Sequence, residues 1–243
     1  MTGDQALAEL AALGNAERAA QSAAYHKAPR RYLGITVPDI TLLAGQWRAA
    51  LDMPQRTALA AALWDSDIHE ARIAAAKLLT QARIADDEPV WRLVASWVPG
   101  FDAWAIADHA CDAGARRLTA DPRRLDEVET WTGSRHMWSR RAALVITLPW
   151  TRQNHPTAQD LAIRDRVLGW AATYVDDRDW FIQKAVAWWL RDLSKHDPAR
   201  SRAFLAGPGQ RLKPWAQKEA TRHLTPGPQD VSTKNQPDRI FCE

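Results

Sequence analysis

The amino-acid sequence predicts an all-α fold on the basis of its alanine content, its apolar spacing and its prolines. Alanine occurs 44 times, against 20 valines and isoleucines together; alanine is the best helix former, whereas β-branched residues favour strands. Segments with helical apolar spacing follow one another along almost the whole chain, and prolines fall at their boundaries, where helices begin or end. The strand-like alternation of apolar and polar residues is nearly absent.

These signals predict thirteen helices in one domain that covers residues 1–224. The predicted segments are 4–13, 15–25, 38–51, 54–64, 67–82, 88–97, 102–117, 121–131, 137–149, 158–175, 180–194, 198–205 and 213–223. The remaining segment, 225–243, is polar and contains prolines. We therefore expect it to form a flexible C-terminal tail.

A weak internal repeat predicts how these helices are arranged. The pattern is an aromatic or imidazole ring, two residues, a basic residue, one residue and then Ala or Val, and it begins at His69, Trp138, Phe181 and Trp215. Helix pairs that recur at spacings like those between these four starting residues are typical of HEAT-like solenoids. The stacked units of such solenoids form a concave binding surface. We expect such a stack here, with a concave face.

Composition narrows the class of protein. The net charge of +3 is mild, and two cysteines are too few for a disulfide framework. No apolar run reaches the ~18 residues that span a bilayer, and the N-terminus lacks a secretory pattern. We expect a cytoplasmic protein without membrane contact, and a monomer. The thirteen tryptophans are either packing plates between helices or exposed surfaces on which sugars and bases stack.

The predicted helix 180–194 separates two adjacent tryptophans. Trp189 falls on an apolar stripe, whereas Trp188 lies off it, on the side of the helix that carries Lys184 and Arg191. Trp188 is therefore either a partly covered surface ring or a stacking surface flanked by phosphate-binding charges. The residue types alone leave both alternatives open.

Two further helices carry polar residues that a pure core does not explain. Trp104 and Asp108 share a side of helix 102–117; the acid is either an ion-pair partner or a catalytic carboxylate held against an apolar wall. Arg140 and Arg141 lie at the start of the apolar helix 137–149. Each arginine has either an internal counter-charge or a DNA phosphate as its partner.

Other catalytic patterns are absent from the sequence. It has no glycine-rich phosphate loop, no His/Cys spacing suited to zinc and no nucleophile elbow. His69, Glu70 and His109 are isolated, and we interpret them as ordinary polar residues. No metal and no cofactor are implied.

Four stretches, in this order, resemble the AlkD family of bacterial DNA alkylation repair glycosylases. They are Tyr25-His26-Lys27 continuing to Tyr32-Leu33-Gly34-Ile35, Trp104-Ala-Ile-Ala-Asp108, Trp138-Ser-Arg-Arg141-Ala-Ala, and Phe181-Ile-Gln-Lys-Ala-Val-Ala-Trp188-Trp-Leu-Arg191. The last is the most specific, and together the order and spacing cover about residues 5–223. The family often has Trp-Trp-Asp and a further acid here, whereas Ala103 and Ala105 flank Trp104 in this chain.

The resemblance implies an all-α, HEAT-like helical repeat solenoid with a basic concave groove around duplex DNA. It also implies hydrolysis of the N-glycosidic bond of N3- or N7-alkylated purines in that duplex, without flipping of the base. It implies that Asp108 is the catalytic carboxylate and that Trp104 and Trp188 lie against the deoxyribose. Tyr25 would form part of the wall of the cleft, and Arg141 would hold the phosphate at the lesion. The expected DNA-binding residues are Tyr25, Lys27, Arg141, Lys184 and Arg191.

This chemistry is consistent with the residues present. An alkylated purine is cationic and leaves without a general acid, so the enzyme has to stabilise positive charge that grows on the sugar. One carboxylate and two electron-rich indole faces would do so. Two alternatives remain open: a non-catalytic protein that binds DNA structures, and a helical scaffold that binds another protein.

Overall fold

The computed structural model describes residues 1–224 and confirms the all-α prediction. Its helices are α1 (Gly3–Ala12), α2 (Ala16–His26), α3 (Val37–Ala50), α4 (Met53–Asp65), α5 (His69–Leu79), α6 (Glu88–Trp97), α7 (Trp104–Ala120), α8 (Leu125–Thr132), α9 (Met137–Val145), α10 (Ala158–Thr173), α11 (Trp180–Leu193), α12 (Pro198–Ala206) and α13 (Pro214–Ala220). No β-strand occurs in this part of the chain, only an isolated bridge between Arg31 and Ile68.

From α3 onward the helices form two layers, as the predicted helical repeat requires. Helices α3, α5, α7, α9, α11 and α13, here called the odd-numbered layer, contact one another in chain order. The even-numbered helices pack against this layer, with α4 on α5, α6 on α7 and α8 on α9. The second side of the odd-numbered layer is its open face.

The sequence repeat marks one position in this architecture. His69, Trp138, Phe181 and Trp215 are the first or second residues of α5, α9, α11 and α13, and Trp104 begins α7 in the same way. Each ring therefore lies in the first turn of a helix of the odd-numbered layer. Neighbouring rings meet across the layer: the ring centroids of Trp138 and Phe181 are 4.6 Å apart.

Local sequence explains where many of these helices begin. Side-chain oxygens at the preceding residue cap α3, α4, α10, α11 and α12, through Thr36, Asp52, Thr157, Asp179 and Asp197 respectively. Such caps satisfy backbone amides that have no partner inside the helix. Prolines occupy the first turns of α3, α4, α6, α12 and α13, where a missing amide hydrogen costs nothing.

Most of the tryptophans serve packing. Four of them are at most 2% exposed, namely Trp47, Trp91, Trp150 and Trp189. Trp64 stacks on Trp97, with the ring centroids 4.2 Å apart. The indole nitrogens of Trp47, Trp91, Trp150 and Trp170 donate to Glu9, Glu127, Asp160 and Glu129. Because a buried indole N–H needs an acceptor, these pairs fix the rings. Trp104 and Trp180 are instead exposed.

Two expectations concern the ends of the chain and membranes. The predicted flexible tail, 225–243, lies outside the described residues. Over residues 1–224, none of the helices has both the length and the apolar character that crossing a membrane demands.

Candidate active site

Asp108 and Arg141 bind each other across the open face. Both oxygens of the Asp108 carboxylate on α7 accept hydrogen bonds from the Arg141 guanidinium on α9, one of them over 3.1 Å. The Arg141 side chain is 4% exposed and the Asp108 side chain 21%. From the sequence, an ion-pair partner inside the protein was one of two alternatives for each residue. In the structure, Asp108 and Arg141 are each other's partner. A two-point contact of this kind fixes the plane of the carboxylate.

Further contacts hold Arg141 in place. Its guanidinium carbon lies 5.8 Å from the centre of the Trp138 ring. Its Nε is buried without a hydrogen-bond partner among the described residues. In this structure Arg141 therefore binds Asp108, and its contact with a DNA phosphate stays a prediction.

Trp104 lies one helical turn before Asp108, at the start of α7, and belongs to an exposed aromatic group. Its ring centre is 6.2 Å from that of Tyr25, edge to face, and 5.5 Å from that of His26. Tyr25 is 70% exposed and Trp104 36%. The C-terminal end of α2 thus lies beside the first turn of α7, as a predicted cleft wall requires. Lys27, which ends α2 in a left-handed conformation, is exposed nearby in the chain.

A group of rings that was not predicted supports this wall: His69 is buried, and His26 and Tyr32 are partly buried. The ring centre of His69 lies 4.4 Å from that of His26 and 4.8 Å from that of Tyr32. Burial, together with the neighbouring cationic groups, lowers the pKa of His69 to about 3, and burial also lowers the pKa of His26. Both imidazoles are therefore uncharged near neutral pH and pack as flat rings behind Trp104.

Glu70 is also a structural residue rather than an ordinary polar one. It is buried, and its carboxylate accepts the backbone N–H groups of Leu33 and Gly34, each over 2.8 Å. Gly34 has a φ of +74°, and a Cβ there would lie 2.2 Å from the carbonyl oxygen of Asn15. This turn packs against the start of α2 and, through Glu70, holds α2 beside α5. The sequence signal that could have indicated this role is the position of His69 and Glu70 at the start of a mostly apolar helix.

The two positions at which this chain departs from the AlkD pattern face the core. Ala103 is 2% exposed and Ala105 is 8% exposed. Trp104 between them points to the open face. The departure therefore changes packing beneath the site more than the surface that a substrate would meet.

Trp188 and Trp189 have the different environments that their helical positions predict. Trp189 is fully buried, and its indole nitrogen donates to the Thr147 hydroxyl over 3.1 Å. Trp188 is half-buried, and its indole nitrogen donates to the Asp192 carboxylate over 3.2 Å. Asp192 also accepts hydrogen bonds from Arg152. Trp188 lies on α11, so α9 separates it from Asp108, and no direct contact joins them.

Lys184 and Arg191, the predicted phosphate-binding charges beside Trp188, share an internal partner. The Glu219 carboxylate on α13 accepts from the Lys184 ammonium over 2.9 Å and from the Arg191 guanidinium. Burial alone would raise the pKa of Glu219, but these two cations hold it below its usual value. The sequence did not predict Glu219, because α13 is 28 residues or more away in the chain.

Replacing Glu219 with glutamine is expected to strengthen DNA binding. The change removes a carboxylate that Lys184 and Arg191 share, so, if these two cations meet DNA as predicted, the variant should bind undamaged duplex more tightly and with a steeper dependence on salt. Titrations of a fluorescent duplex at several salt concentrations measure both quantities. Glu129→Gln, which removes an ion-paired acid on α8, is the matched control and should change neither. Unaltered binding by Glu219→Gln would mean that Lys184 and Arg191 do not face DNA.

Metal chemistry has no candidate ligands in the part of the chain that the structure describes. No group of three or more His, Cys, Asp or Glu side chains there is arranged to hold a metal ion. Cys111 is buried beneath α9, and burial raises the pKa of its thiol strongly, which makes it unreactive.

Solved structures of other proteins share this fold. One described as a predicted DNA alkylation repair enzyme from Enterococcus faecalis matches with a TM-score of 0.72 and 24% identity, over 88% of this chain and 98% of that chain. AlkD2 from Streptococcus mutans matches with a TM-score of 0.58 and 19% identity, over 77% of this chain and 90% of its own. The protein smu.31 from Streptococcus mutans UA159 has the same TM-score and identity, over 78% and 93%. At these identities the likeness shows the fold alone.

Sequence comparison supplies the family. No curated protein matches the chain significantly. The family model for DNA alkylation repair enzymes matches residues 6–224, which is the helical stack from within α1 to the end of α13. That match confirms the relationship suggested by the four sequence stretches, and the chain belongs to the DNA alkylation repair enzyme family.

Proposed function

We propose that this protein is a monofunctional DNA glycosylase that removes cationic N3- and N7-alkylated purines from duplex DNA in base excision repair. The observation that carries the proposal is the Asp108 carboxylate, which Arg141 holds at the open face one turn from the exposed Trp104. A fixed carboxylate beside an aromatic surface suits a positively charged transition state. The protein would act in the cytoplasm as a monomer.

The reaction needs few groups because the substrate already carries a leaving group. The bond between C1′ of the deoxyribose and the purine nitrogen breaks, and its electron pair neutralises the positive charge of the purine. Water adds to C1′ and loses a proton. Asp108 stabilises the oxocarbenium-like sugar and orients that water, while Arg141 keeps the carboxylate in position.

The proposal needs a space for a sugar between α7 and α11. Packed helices generally lie about 8–10 Å apart, so two steps along the layer would separate these helices by roughly 16–20 Å. Side chains that extend over α9 from both sides would then flank a space of the size of a deoxyribose. Trp104 and Asp108 would line one side of it, and Trp188 the other. The indole faces attract positive charge.

DNA contacts would come from residues around this space. Tyr25 would form part of the wall, and Lys27, Lys184 and Arg191 would meet phosphates along the duplex. In the absence of DNA, Lys184 and Arg191 are bound to Glu219, so binding would exchange one anionic partner for another. Arg141 would meet the phosphate at the lesion only after a rearrangement that exposes its guanidinium, since its side chain is 4% exposed and paired with Asp108.

Selectivity should follow the charge of the lesion, because a base that stays in the duplex is not read by a pocket. Duplexes of one sequence that carry N7-methylguanine or N3-methyladenine should release free base. Duplexes with 8-oxoguanine, O6-methylguanine or uracil should release none. Chromatography of the released bases measures both groups. Efficient removal of uracil or 8-oxoguanine would contradict this mechanism, and no release from any duplex would favour the non-catalytic DNA-binding alternative.

A further inference from the structure

A cavity on the open face lies beyond the proposed reaction centre. Its volume is about 460 Å³, and it lies between the second half of α7 and the short 3₁₀ helix Leu148–Arg152. The lining residues that matter here are Asp112, Arg116 and Thr119 from α7 and Arg152 from the 3₁₀ helix. Nothing in the proposed mechanism uses this cavity.

The cavity continues the face of α7 that carries Trp104 and Asp108. Asp112 and Thr119 follow Asp108 on the same side of the helix, and Arg116 stands at the edge of that side. Arg116 is just over two turns beyond Asp108, which is roughly 12 Å along the axis. A ligand that spans both places is therefore at least a few nucleotides in size.

Arg116 and Arg152 differ from the predicted DNA-binding cations because part or all of each guanidinium has no hydrogen-bond or ion-pair partner among the described residues. Arg116 is exposed, and no carboxylate among residues 1–224 lies within ion-pair distance of it. Arg152 is 57% exposed; its Nε and one terminal nitrogen bind Asp192, over 3.3 and 3.1 Å. Its other terminal nitrogen has no partner in the described chain. By contrast, Glu219 already occupies Lys184 and Arg191.

Asp192 connects Arg152 to the proposed reaction centre. This carboxylate is 7% exposed and accepts hydrogen bonds from the Trp188 indole as well as from Arg152. Arg152 is thus anchored on one edge and free on the other, which orients its free edge. The same carboxylate orients Trp188.

We propose that Arg116 and Arg152 form a phosphate-binding subsite, which takes one DNA phosphodiester beside the second half of α7, away from the reacting sugar, and so sets the register of the duplex. Two guanidinium groups from separate segments match the oxygens of a phosphodiester, because each presents its donors as a planar fork. The proposal rests on the proposed function for the nature of the ligand. Asp112, an acid that lines the same cavity, would repel the phosphate.

Salt dependence of binding to an undamaged duplex tests the subsite without using catalysis. Arg116→Gln and Arg152→Gln should each weaken binding and reduce the slope of log K against log salt by about one. Because both arginines hold the same phosphate, the double variant should lose little more slope than either single variant. Asp112→Asn should have the opposite effect and bind more tightly. Arg92→Gln on α6 is the control: Arg92 is 60% exposed, like Arg152, but belongs to the even-numbered layer.

A second measurement locates the phosphate. In a series of duplexes, one phosphodiester at a time is replaced by an uncharged methylphosphonate. At one position the replacement should weaken binding of the unaltered protein but not of Arg116→Gln or Arg152→Gln. Thermal melts of all variants check that the loss of binding is not a loss of fold.

The outcomes separate this proposal from the proposed function. Two results would overturn the subsite, even if the protein releases alkylated bases. One is an unchanged salt slope in folded variants. The other is that no single methylphosphonate weakens binding of the unaltered protein without also weakening binding of the arginine variants. Reduced slopes together with a single insensitive phosphate would support the subsite. They would do so even if the unaltered protein released no base, in which case the proposed function alone would fail.

Discussion

Asp108→Asn is expected to lower the rate of base release from a duplex containing N7-methylguanine by ~10²-fold or more, the usual scale for removal of a preorganised electrostatic stabiliser. Asparagine has the same shape and retains one oxygen acceptor for Arg141, but it lacks the charge that would stabilise the sugar cation. Single-turnover measurements with excess enzyme report the chemical step. Binding of undamaged duplex should be as tight as before or tighter, because a negative charge has left the open face.

The ion pair adds a cost that the sequence alone does not predict. Asp108 is the counter-charge of an arginine that is 4% exposed, so the variant should also lose roughly 1–3 kcal/mol of folding free energy. Asp177→Asn is the matched control: the Asp177 side chain is 22% exposed and binds Arg140 over 2.9 Å. The control should lose similar stability and keep its rate. Base release by Asp108→Asn at the rate of the unaltered protein would reduce Asp108 to a structural ion-pair residue.

The fold was largely predictable because helical spacing and its boundaries are local properties. All thirteen predicted helices occur, and the differences lie at their ends. The segment 137–149 is α-helical only as far as Val145; a two-residue turn follows, and then a 3₁₀ helix from Leu148 to Arg152. Pro149 explains this change, since it lacks an amide hydrogen and its ring collides with the carbonyl four residues earlier. Pro122 similarly begins a 3₁₀ turn before α8.

The site was predictable in part, because side-chain position on a helix is local but ion-pair partners are not. The separation of Trp188 from Trp189, and of Trp104 and Asp108 from the core, follows from helical periodicity. The Asp108–Arg141 pair joins residues that are 33 positions apart. The contacts of Glu219 join still other segments of the chain. Such distances can be specified only by the packing of one helix on the next.

The imidazole rings of His26 and His69 illustrate a second limit of prediction from the sequence. His26 and His69 have no spacing that signals a metal or a catalytic pair, and they act by packing as uncharged rings. A histidine in this role resembles any other polar residue in the sequence. Its burial becomes apparent only once α2 and α5 are brought together by the turn at Gly34.

Truncation of the two adjacent tryptophans should separate stability from activity. Trp189→Ala is expected to cost about 3–5 kcal/mol of folding free energy, as usual for a core tryptophan, since its ring is fully buried and its nitrogen binds Thr147. Trp188→Ala should cost less, because part of its side chain already meets solvent. Denaturant titrations of both variants give the two free energies, and the same preparations serve for activity measurements.

The activities should follow the opposite order once each variant is measured well below its melting temperature. Trp188→Ala removes an indole face from the proposed sugar-binding space and should slow base release more than Trp189→Ala does in its folded fraction. Trp188→Phe, which keeps an aromatic face but cannot donate to Asp192, should recover part of the rate and so distinguish ring stacking from the hydrogen bond. Should Trp188→Ala prove the costlier change for stability and leave the rate intact, Trp188 would belong to the core and not to the active site.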